Sequence, residues 1–481
     1  MNSGNSNSSN VFFELGVNRN QKIYSLNNVP VKGKIPDWLN GTFIRNGPGM
    51  LNLKNHRLNH WFDAMGALHK FEIRGGKVDY LCKFIDCESY RGATESGDLK
   101  FSEFATDPCR SIFKKVQSYV FPSLPNMTDN PKINVARIGE KWMALGETPM
   151  QLEFDPETLK KIGVSEPVPG AFAYKTTAHP HFENEHAYNL VVKFGMISYY
   201  KIYDVANPGG KPIASIPVKK PAYIHGFGMT KKYFIITAGP LVVVPIELLF
   251  WKRPYIENHH WRPQDGSSIW VVEKATGKVK AHFKTDPFFC FHHVNAWEEG
   301  NEIVMDINAY DDASIVEKYY LHELEQPDLK LPFGTMRRFR LNLSTKEAEV
   351  QMLSEACIEL PRIDYNRFNT ESNYQFVYGV SIHPQQRLGF YNSLVKINTQ
   401  SGSNSYWFQE GCYPGEPFFY PSPKSKNDEE GILLSIVLDT NSSSSFLLIL
   451  DAITMLEIAR AELPDPVVYG FHGEFFPDII Y

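Results

Sequence analysis

Cysteine is scarce in this chain, and its apolar runs are short. The 481 residues include only six cysteines and no Cys-x-x-Cys pair, which argues against a zinc ribbon, against a disulfide framework and for a reducing compartment. The apolar run 239–251 is too short to span a bilayer, which takes about 20 residues. No basic tract or RNA-binding signature is present, so nucleic acid is not an expected partner.

Targeting and nucleotide-binding motifs are missing as well. The first ten residues are polar and lack the charged and apolar segments of a signal peptide. We therefore predict a disordered or extended tail over residues 1–20, a single domain over 21–481 and a cytoplasmic location. Without a G-x-G-x-x-G, P-loop or G-x-S-x-G motif, nucleotide-dependent chemistry and serine hydrolysis have no basis in the sequence.

Strand-forming and aromatic residues are abundant, and a hairpin pattern recurs seven times. Intervals of about 50–80 residues between such units are typical of propellers. We predict an all-β fold, a seven-bladed β-propeller with a metal on its axis and with loops and short helices capping one face. Several unrelated β-sandwiches are the alternative. The strand–turn–strand patterns begin at Ile73, Phe154, Ile202, Val272, Leu341, Ile397 and Leu450.

Four histidines lie far apart in the chain, each in an apolar, aromatic, strand-like stretch. A single histidine of this kind is more often a core side chain, but a ring of strands could bring one imidazole from each element to a common axis. Such a cluster would bind a metal, and imidazole suits iron, zinc, copper and nickel alike. The candidates are His179, His225, His292 and His472.

Three glutamates in equally apolar, turn-like stretches support this interpretation. Carboxylates are rarely buried unpaired, and a metal-bound histidine usually donates its second N–H to an acceptor. We therefore predict Glu147, Glu359 and Glu416 as hydrogen-bond partners of the histidines. The nearby sequence NGPG at 46–49 predicts only a turn.

Several motifs together resemble the carotenoid cleavage oxygenase family, from Asn40 to Phe475. TDPCRSIF and MTDNPKIN are closest to the animal branch, which contains the β-carotene oxygenases and the retinoid isomerohydrolase. Gly146 precedes Glu147, where that branch usually has a hydroxyl residue. The matching stretches are NGTFIRNGPG (40–49), HWFDAMGALHKFEI (60–73), TAHPHF (177–182), FHHVNAWEE (291–299), GEP (415–417), LLILDA (447–452) and FHGEF (471–475).

The resemblance implies a propeller that holds one Fe(II) on its axis through the four histidines above, with the three glutamates around them. It assigns His181 and His293, which follow in the same motifs, to structural roles. The implied activity is a non-haem dioxygenase that cleaves a conjugated C=C bond of a carotenoid or apocarotenoid with O2 to two carbonyl products. Alternatives are retinoid isomerohydrolysis or stilbene cleavage at the same iron, and a lipid-binding propeller without activity.

A carotenoid dissolves only in membrane, so the enzyme should dock on a bilayer surface. Residues 111–125 and 239–251 combine large apolar side chains with lysine or arginine, as monotopic segments do. Burial as a strand pair is an equally open interpretation of 239–251. We predict membrane contact through Phe113, Phe121, Leu249 and Phe250. Tyr310 is a candidate for the wall of a substrate tunnel, or else a core aromatic.

Overall fold

Antiparallel sheets dominate the computed structural model, which describes residues 10–108, 128–166, 168, 174–250 and 253–479. Seven sheets of four or more strands follow one another around an axis as the blades of a β-propeller, which confirms the predicted fold. All seven predicted strand–turn–strand patterns form outer hairpins of blades. The stretch at 447–459, whose periodicity is also compatible with a helix, forms the last of them.

In blades 1 to 5 the strand nearest the axis comes first in sequence, and the same holds for blade 6 apart from its outer edge strand. Blade 1 consists of Asn134–Ile138, Lys141–Leu145, Gln151–Phe154 and Lys161–Ser165. Blade 2 has a split inner strand, Tyr174–Thr176 and His181–Glu183, followed by His186–Lys193, Ser198–Asp204 and Ala214–Val218. Blade 3 consists of Gly228–Met229, Tyr233–Ala238, Ser267–Glu273 and Val279–Thr285.

The next three blades follow the same order. Blade 4 consists of His293–Glu299, Glu302–Ala309, Thr335–Asn342 and Ala348–Cys357, and blade 5 of Glu359–Arg362, Phe376–Ser381, Ser393–Asn398 and Asn404–Phe408. Blade 6 has a split inner strand, Cys412–Pro414 and Phe418–Pro421, followed by Gly431–Asp439, Ser444–Asp451 and Glu457–Leu463, with Val31–Gly33 at its outer edge.

Blade 7 closes the ring by joining the two ends of the described chain. Its innermost strand, Gly473–Phe476, pairs with Gly41–Met50, and Met65–Arg74, Lys77–Phe84 and Ser25–Leu26 complete the sheet. The predicted turn at 46–49 is wrong, because these residues lie inside the strand. Gly47 is needed there for close approach, since a Cβ atom would lie 2.6 Å from Cα of Gly470.

Burial follows position within a blade. Middle strands such as Gly431–Asp439 are buried along almost their whole length, because the blades pack face to face. Outer strands such as Val279–Thr285 alternate between buried and exposed residues, as expected where one face meets solvent. The apolar runs of the sequence therefore mark the blade centres.

A cap of short elements covers one face. Backbone N–H groups of Trp61, Leu321 and Ile256 donate to Tyr319, Asn59 and Phe104, which ties its segments together. The helical elements among the described residues are Val11–Gly16, Trp61–Asp63, Glu88–Glu95, Pro245–Phe250, Ile256–Asn258, Pro263–Asp265, Ser314–Lys318, Leu321–Leu324 and Tyr365–Phe368, and blade 3 also carries an inserted pair of strands, Leu241–Val243 and His259–Trp261.

The first of these helices corrects part of the predicted tail. Residues 1–9 lie outside the described chain, but Val11–Gly16 is a helix that begins after Asn10, whose side chain accepts from the Phe13 N–H. Phe12 and Phe13 are almost fully buried in the aromatic core under the cap. Two adjacent buried phenylalanines supply the apolar burial that orders this segment.

Candidate metal centre

The four candidate histidines converge at the inner ends of four blades. His292 and His472 immediately precede the inner strands of blades 4 and 7, His225 stands just before that of blade 3, and His179 lies between the two inner segments of blade 2. One nitrogen from each ring lies within 4.8 Å of the others. The structure thus brings together residues that the sequence separates widely.

The imidazole rings of His292 and His472 face each other through nitrogen atoms that carry lone pairs. Nδ1 of His292 donates to Glu359 Oε2 at 2.7 Å, and Nδ1 of His472 donates to Glu416 Oε1 at 2.8 Å. Since a neutral imidazole carries one N–H, both Nε2 atoms bear lone pairs, yet they lie 3.2 Å apart. Burial lowers the pKa of His472 to about 4, which opposes a bridging proton. A cation bound to both nitrogens would remove this repulsion.

The rings of His225 and His179 form a second close pair, but only His225 has a glutamate partner among the described residues. Nδ1 of His225 donates to Glu147 Oε1 at 2.6 Å, and its Nε2 lies 3.1 Å from Nε2 of His179. Two nitrogens at about 2.1 Å from one ion and roughly at right angles would be about 3 Å apart, so both close pairs fit a shared ion. Among the described carboxylates, none lies within hydrogen-bonding distance of His179, whose pKa burial places well below its usual range.

Further donors hold two of the glutamates. The Tyr223 hydroxyl donates to Glu147 at 2.7 Å, and Asn308 Nδ2 and the Tyr310 hydroxyl donate to Glu359 Oε1 at 2.8 and 3.1 Å. Burial alone would raise the pKa of each carboxyl, but the adjacent histidine, the other donors and, at Glu147, the charge of Lys175 together outweigh it and leave both pKa values below their usual range. Both groups therefore stay ionised and keep their histidines in one tautomer.

An arginine supports the third glutamate. Arg362 Nε lies 3.6 Å from Glu416 Oε1, and the backbone N–H of Gly473 donates to Oε2 at 2.9 Å. Burial would raise the pKa of Glu416, yet the charge of Arg362, followed by His472, leaves it lowered. This carboxylate is the one of the three with a guanidinium beside it.

Each blade of the propeller contributes one histidine or one glutamate to the candidate metal centre. Blades 2, 3, 4 and 7 each provide a histidine, and blades 1, 5 and 6 each provide a glutamate. The sequence did not reveal the supporting residues Tyr223, Asn308 and Arg362. A spacing of two residues could have found two of them, because Tyr223 lies two residues before His225, and Asn308 two before Tyr310, and both members of each pair bond to the same glutamate.

An apolar cavity borders the histidines. His225, His292 and His472 form part of its wall, and Glu359 and Tyr391 also reach it. The remaining wall is almost entirely hydrophobic, as in sites that bind apolar ligands. Its aromatic members are Trp61, Phe62, Phe291, Tyr319 and Phe471.

Other sequence candidates lie outside this wall. Tyr310, the candidate for a tunnel wall, is fully buried behind the cavity, with its hydroxyl directed to Glu359. His181 contacts the Tyr365 hydroxyl at 2.9 Å and the Phe227 carbonyl at 2.8 Å. His293 Nε2 contacts the Thr237 hydroxyl at 3.0 Å. Neither histidine belongs to the cluster of four.

A second opening, more polar than the first, reaches the same histidines. This cleft is bordered by His179, His292 and His472 together with Arg362 and Glu474. Arg362 donates to the Gly473 carbonyl at 2.8 Å and to Glu474 at 3.2 Å. The cluster is therefore bordered by an apolar cavity and by a cleft with charged walls.

The predicted membrane contacts are described only in part. Phe113 and Phe121 lie outside the described residues, and so do the side chains of Leu249 and Phe250, whose backbone ends the helix Pro245–Phe250. Within 239–251, Val243 is buried, as the strand-pair interpretation expects, whereas Ile246 is 57% exposed. No helix in the described ranges has the length and apolar character needed to cross a bilayer.

The fold and the cluster define a class of protein: a seven-bladed β-propeller with an all-histidine candidate metal centre on its axis. The family model RPE65, retinal pigment epithelial membrane protein, matches residues 17–477. The chain belongs to this family of carotenoid oxygenases, as the motifs predicted.

Named relatives match along nearly the whole chain. The β,β-carotene 15,15'-dioxygenase of Rattus norvegicus is 31% identical over 96% of this chain and 91% of the rat protein. The Homo sapiens enzyme of the same name is 32% identical over 96% and 94%. The carotenoid isomerooxygenase of Galleria mellonella is 29% identical over 93% of each chain.

Solved structures agree with the fold. An ACO/RPE65 chimera superposes with a TM-score of 0.85 at 23% identity, covering 97% of this chain and 98% of the chimera. Cobalt-substituted Synechocystis ACO gives 0.84 at 24% identity with the same coverage. At this level of identity the likeness establishes the architecture.

Proposed function

We propose that this protein is a non-haem Fe(II) dioxygenase that cleaves one conjugated C=C bond of a carotenoid or apocarotenoid to two carbonyl products. One observation carries the proposal. The lone pairs of a four-histidine cluster, three of whose members are fixed by ionised glutamates, border an apolar aromatic cavity. The names of the relatives, carotene dioxygenase and carotenoid isomerooxygenase, support the same reaction class.

The donor set suits a divalent ion with redox chemistry. Four neutral imidazoles would saturate a tetrahedral zinc ion, whereas an ion that prefers six ligands keeps positions for small molecules. His179, His225, His292 and His472 would hold one iron per chain. When bound, iron would supply the activation of dioxygen. The three carboxylates would raise the basicity of the imidazoles and offset part of the metal charge.

The cavity residues would position the substrate and exclude water. Aromatic faces such as those of Phe62, Phe291 and Tyr319 suit a flat conjugated chain. Burial raises the pKa of Tyr319 well above its usual range, so its hydroxyl stays protonated. The reaction requires no protein acid or base, and the ionisable groups of the wall are three of the cluster histidines, Glu359 and two tyrosine hydroxyls.

The test is a product analysis with the purified iron-loaded protein. Carotenoids, apocarotenoids and stilbenes are incubated with 18O2, and the products are identified by mass. We expect two labelled carbonyl compounds from a polyene and about one iron per chain. A retinol isomer from a retinyl ester, or aromatic aldehydes from stilbenes alone, would replace the proposed substrate class. A protein that binds no iron would overturn the proposal.

We also propose that the protein is cytoplasmic and docks on a membrane surface through an apolar rim, defined here as the exposed side chains of Met196, Ile197 and Ile246. Met196 is fully exposed at the turn between two strands of blade 2. Phe194 of this turn and Leu248 of the helix Pro245–Phe250 belong to one core cluster, so both segments pack on the same part of the core. Exposed apolar groups of this kind favour the interface of a bilayer.

A further inference from the structure

Lys175 belongs to the same blade as His179 and the exposed Met196 of the apolar rim. It lies in the inner strand Tyr174–Thr176 of blade 2, four residues before His179. The backbone N–H of Thr176 donates to the Glu147 carbonyl at 3.2 Å, which fixes this strand against the glutamate that supports His225. The neighbouring strand, paired through Lys175 and Val192, leads directly to the turn that carries Met196.

This amine lacks the partner that a lysine in such a place usually has. Nζ of Lys175 lies 4.4 Å from the ring centroid of Tyr255, and no hydrogen bond or ion pair joins it to any described residue. Buried Lys132 shows the usual arrangement, since its Nζ lies 2.5 Å from Glu103 Oε2. Burial lowers the pKa of Lys175, and the charge of Glu147 opposes this. The lowered pKa increases the fraction of neutral amine, which is the nucleophilic form.

We propose that Lys175 is a covalent holding site for a polyene aldehyde, the product class of the proposed cleavage reaction, on which this inference rests. The Nζ lone pair attacks the carbonyl carbon and gives a carbinolamine. Loss of water then leaves an imine, so that R–CHO and the amine become R–CH=N–Lys175 and H2O with no net oxidation or reduction. Hydrolysis by one water releases the aldehyde again.

The surroundings suit a protonated imine. The charge of Glu147 raises the pKa of Lys175 more than that of any other carboxylate, so Glu147 would serve as the counter-ion. The face of the Tyr255 ring attracts the cation from one side. An apolar cationic adduct would therefore be held by one carboxylate and one aromatic ring.

Packed aromatic side chains lie between the Tyr255 ring and the apolar cavity. Phe62 lines the cavity, and its ring centroid lies 5.3 Å from that of Phe104. The Phe104 ring lies 6.2 Å from the Tyr255 ring that Lys175 covers, and 5.7 Å from the ring of Tyr223. Lys175 itself is only partly enclosed, so part of its surface is open to a slender aldehyde.

Reductive trapping tests the site directly. All-trans-retinal is added in the dark to the full-length, iron-loaded protein, and sodium cyanoborohydride converts any imine into a stable secondary amine. Because a bound aldehyde reacts at a high effective concentration, we expect at least about tenfold more adduct on Lys175 than on any other lysine in the peptide map. All-trans-retinol, which has no carbonyl, gives none. Lys175→Arg removes the main adduct, whereas Lys219→Arg, a change at an exposed lysine, retains it.

The outcomes separate this proposal from the oxygenase reaction. Retinal spread over surface lysines, with Lys175 unmodified in the wild-type map, overturns it, and this holds even if Lys175→Arg fails to fold. Since the aldehyde is added directly, no carotenoid or dioxygen is consumed in the trapping. An adduct on Lys175 without carotenoid cleavage would contradict only the proposed function. Cleavage without an adduct would contradict only the holding site, leaving Lys175 a charge beside Glu147.

Discussion

The axial centre and the apolar rim are built on opposite principles. At the axis, seven residues from seven blades meet, and three of the four histidines are fixed by a buried carboxylate. At the rim, a turn and a short inserted helix expose single apolar side chains. The axis follows from the repeat of the fold, whereas the rim depends on insertions between strands. Chemistry and docking should therefore respond to different substitutions.

Removing an axial histidine should have the largest effect. We expect His472→Ala to weaken metal binding by more than the 10–100-fold that is typical of losing an outer hydrogen-bond partner, about 100-fold at least, because a ligand itself is lost. His293→Ala, a neighbouring histidine outside the cluster, is the matched control and should retain iron. Elemental analysis and turnover measure both. Full iron in His472→Ala would show that the ligand assignment is wrong.

Charging the rim should abolish docking without touching the axis. Burial of Met196 and Ile246 in lipid would each contribute up to about 1.5–3 kcal/mol, so Met196→Asp with Ile246→Asp should weaken liposome binding by about 100-fold or more. Leu456→Asp, a change at an equally exposed site on blade 6, should not. Flotation with liposomes measures binding, and iron content should stay constant. Undiminished flotation of the double variant would place the docking surface elsewhere.

The glutamates should show an intermediate effect. Glu359→Gln or Glu416→Gln keeps the size of the side chain but removes the charge that orients the histidine, so we expect metal affinity or activity to fall by about 10–100-fold. Glu474→Gln, which alters a carboxylate paired with Arg362 rather than with a histidine, is the control. Losses as severe as those of His472→Ala would indicate that a carboxylate binds the metal.

Tyr310→Phe should have the smallest effect and distinguishes a supporting role from a tunnel wall. Removing one hydrogen bond to Glu359 should cost about 0.5–1.5 kcal/mol, a change of up to about tenfold in metal affinity, with the same products. Tyr391→Phe changes a residue that does line the cavity and should alter turnover of the substrate panel instead. A changed cleavage position in Tyr310→Phe would indicate that Tyr310 contacts the substrate as part of the tunnel wall.

The periodic part of the architecture was predictable from sequence, because each outer hairpin combines alternating residues with a polar turn. The histidines were also predictable, since an uncharged, isolated imidazole in an apolar strand stands out. Which glutamate supports which histidine was not, because the partners are 78, 67 and 56 residues apart and only ring closure brings them together.

Local patterns failed where tertiary contacts decide. The sequence NGPG has the composition of a turn, yet the approach of Gly470 to Gly47 keeps it extended. Phe12 and Phe13 follow a polar stretch, but burial under the cap makes their segment a helix. Lys175 has no sequence signal at all, because its position over the Tyr255 ring and near Glu147 exists only in the folded ring.

The strand Gly473–Phe476 that closes the ring also follows directly upon His472, which has a consequence for biosynthesis. His292 precedes His472 by 180 residues. At about 5–20 residues per second, the ribosome needs roughly 10–40 s to add them. A nascent chain therefore holds three histidines for some time before the fourth exists, and any metal captured in that interval would be bound by an incomplete set. A site of four histidines would therefore be completed only when the strand Gly473–Phe476, which closes the ring, has also been made.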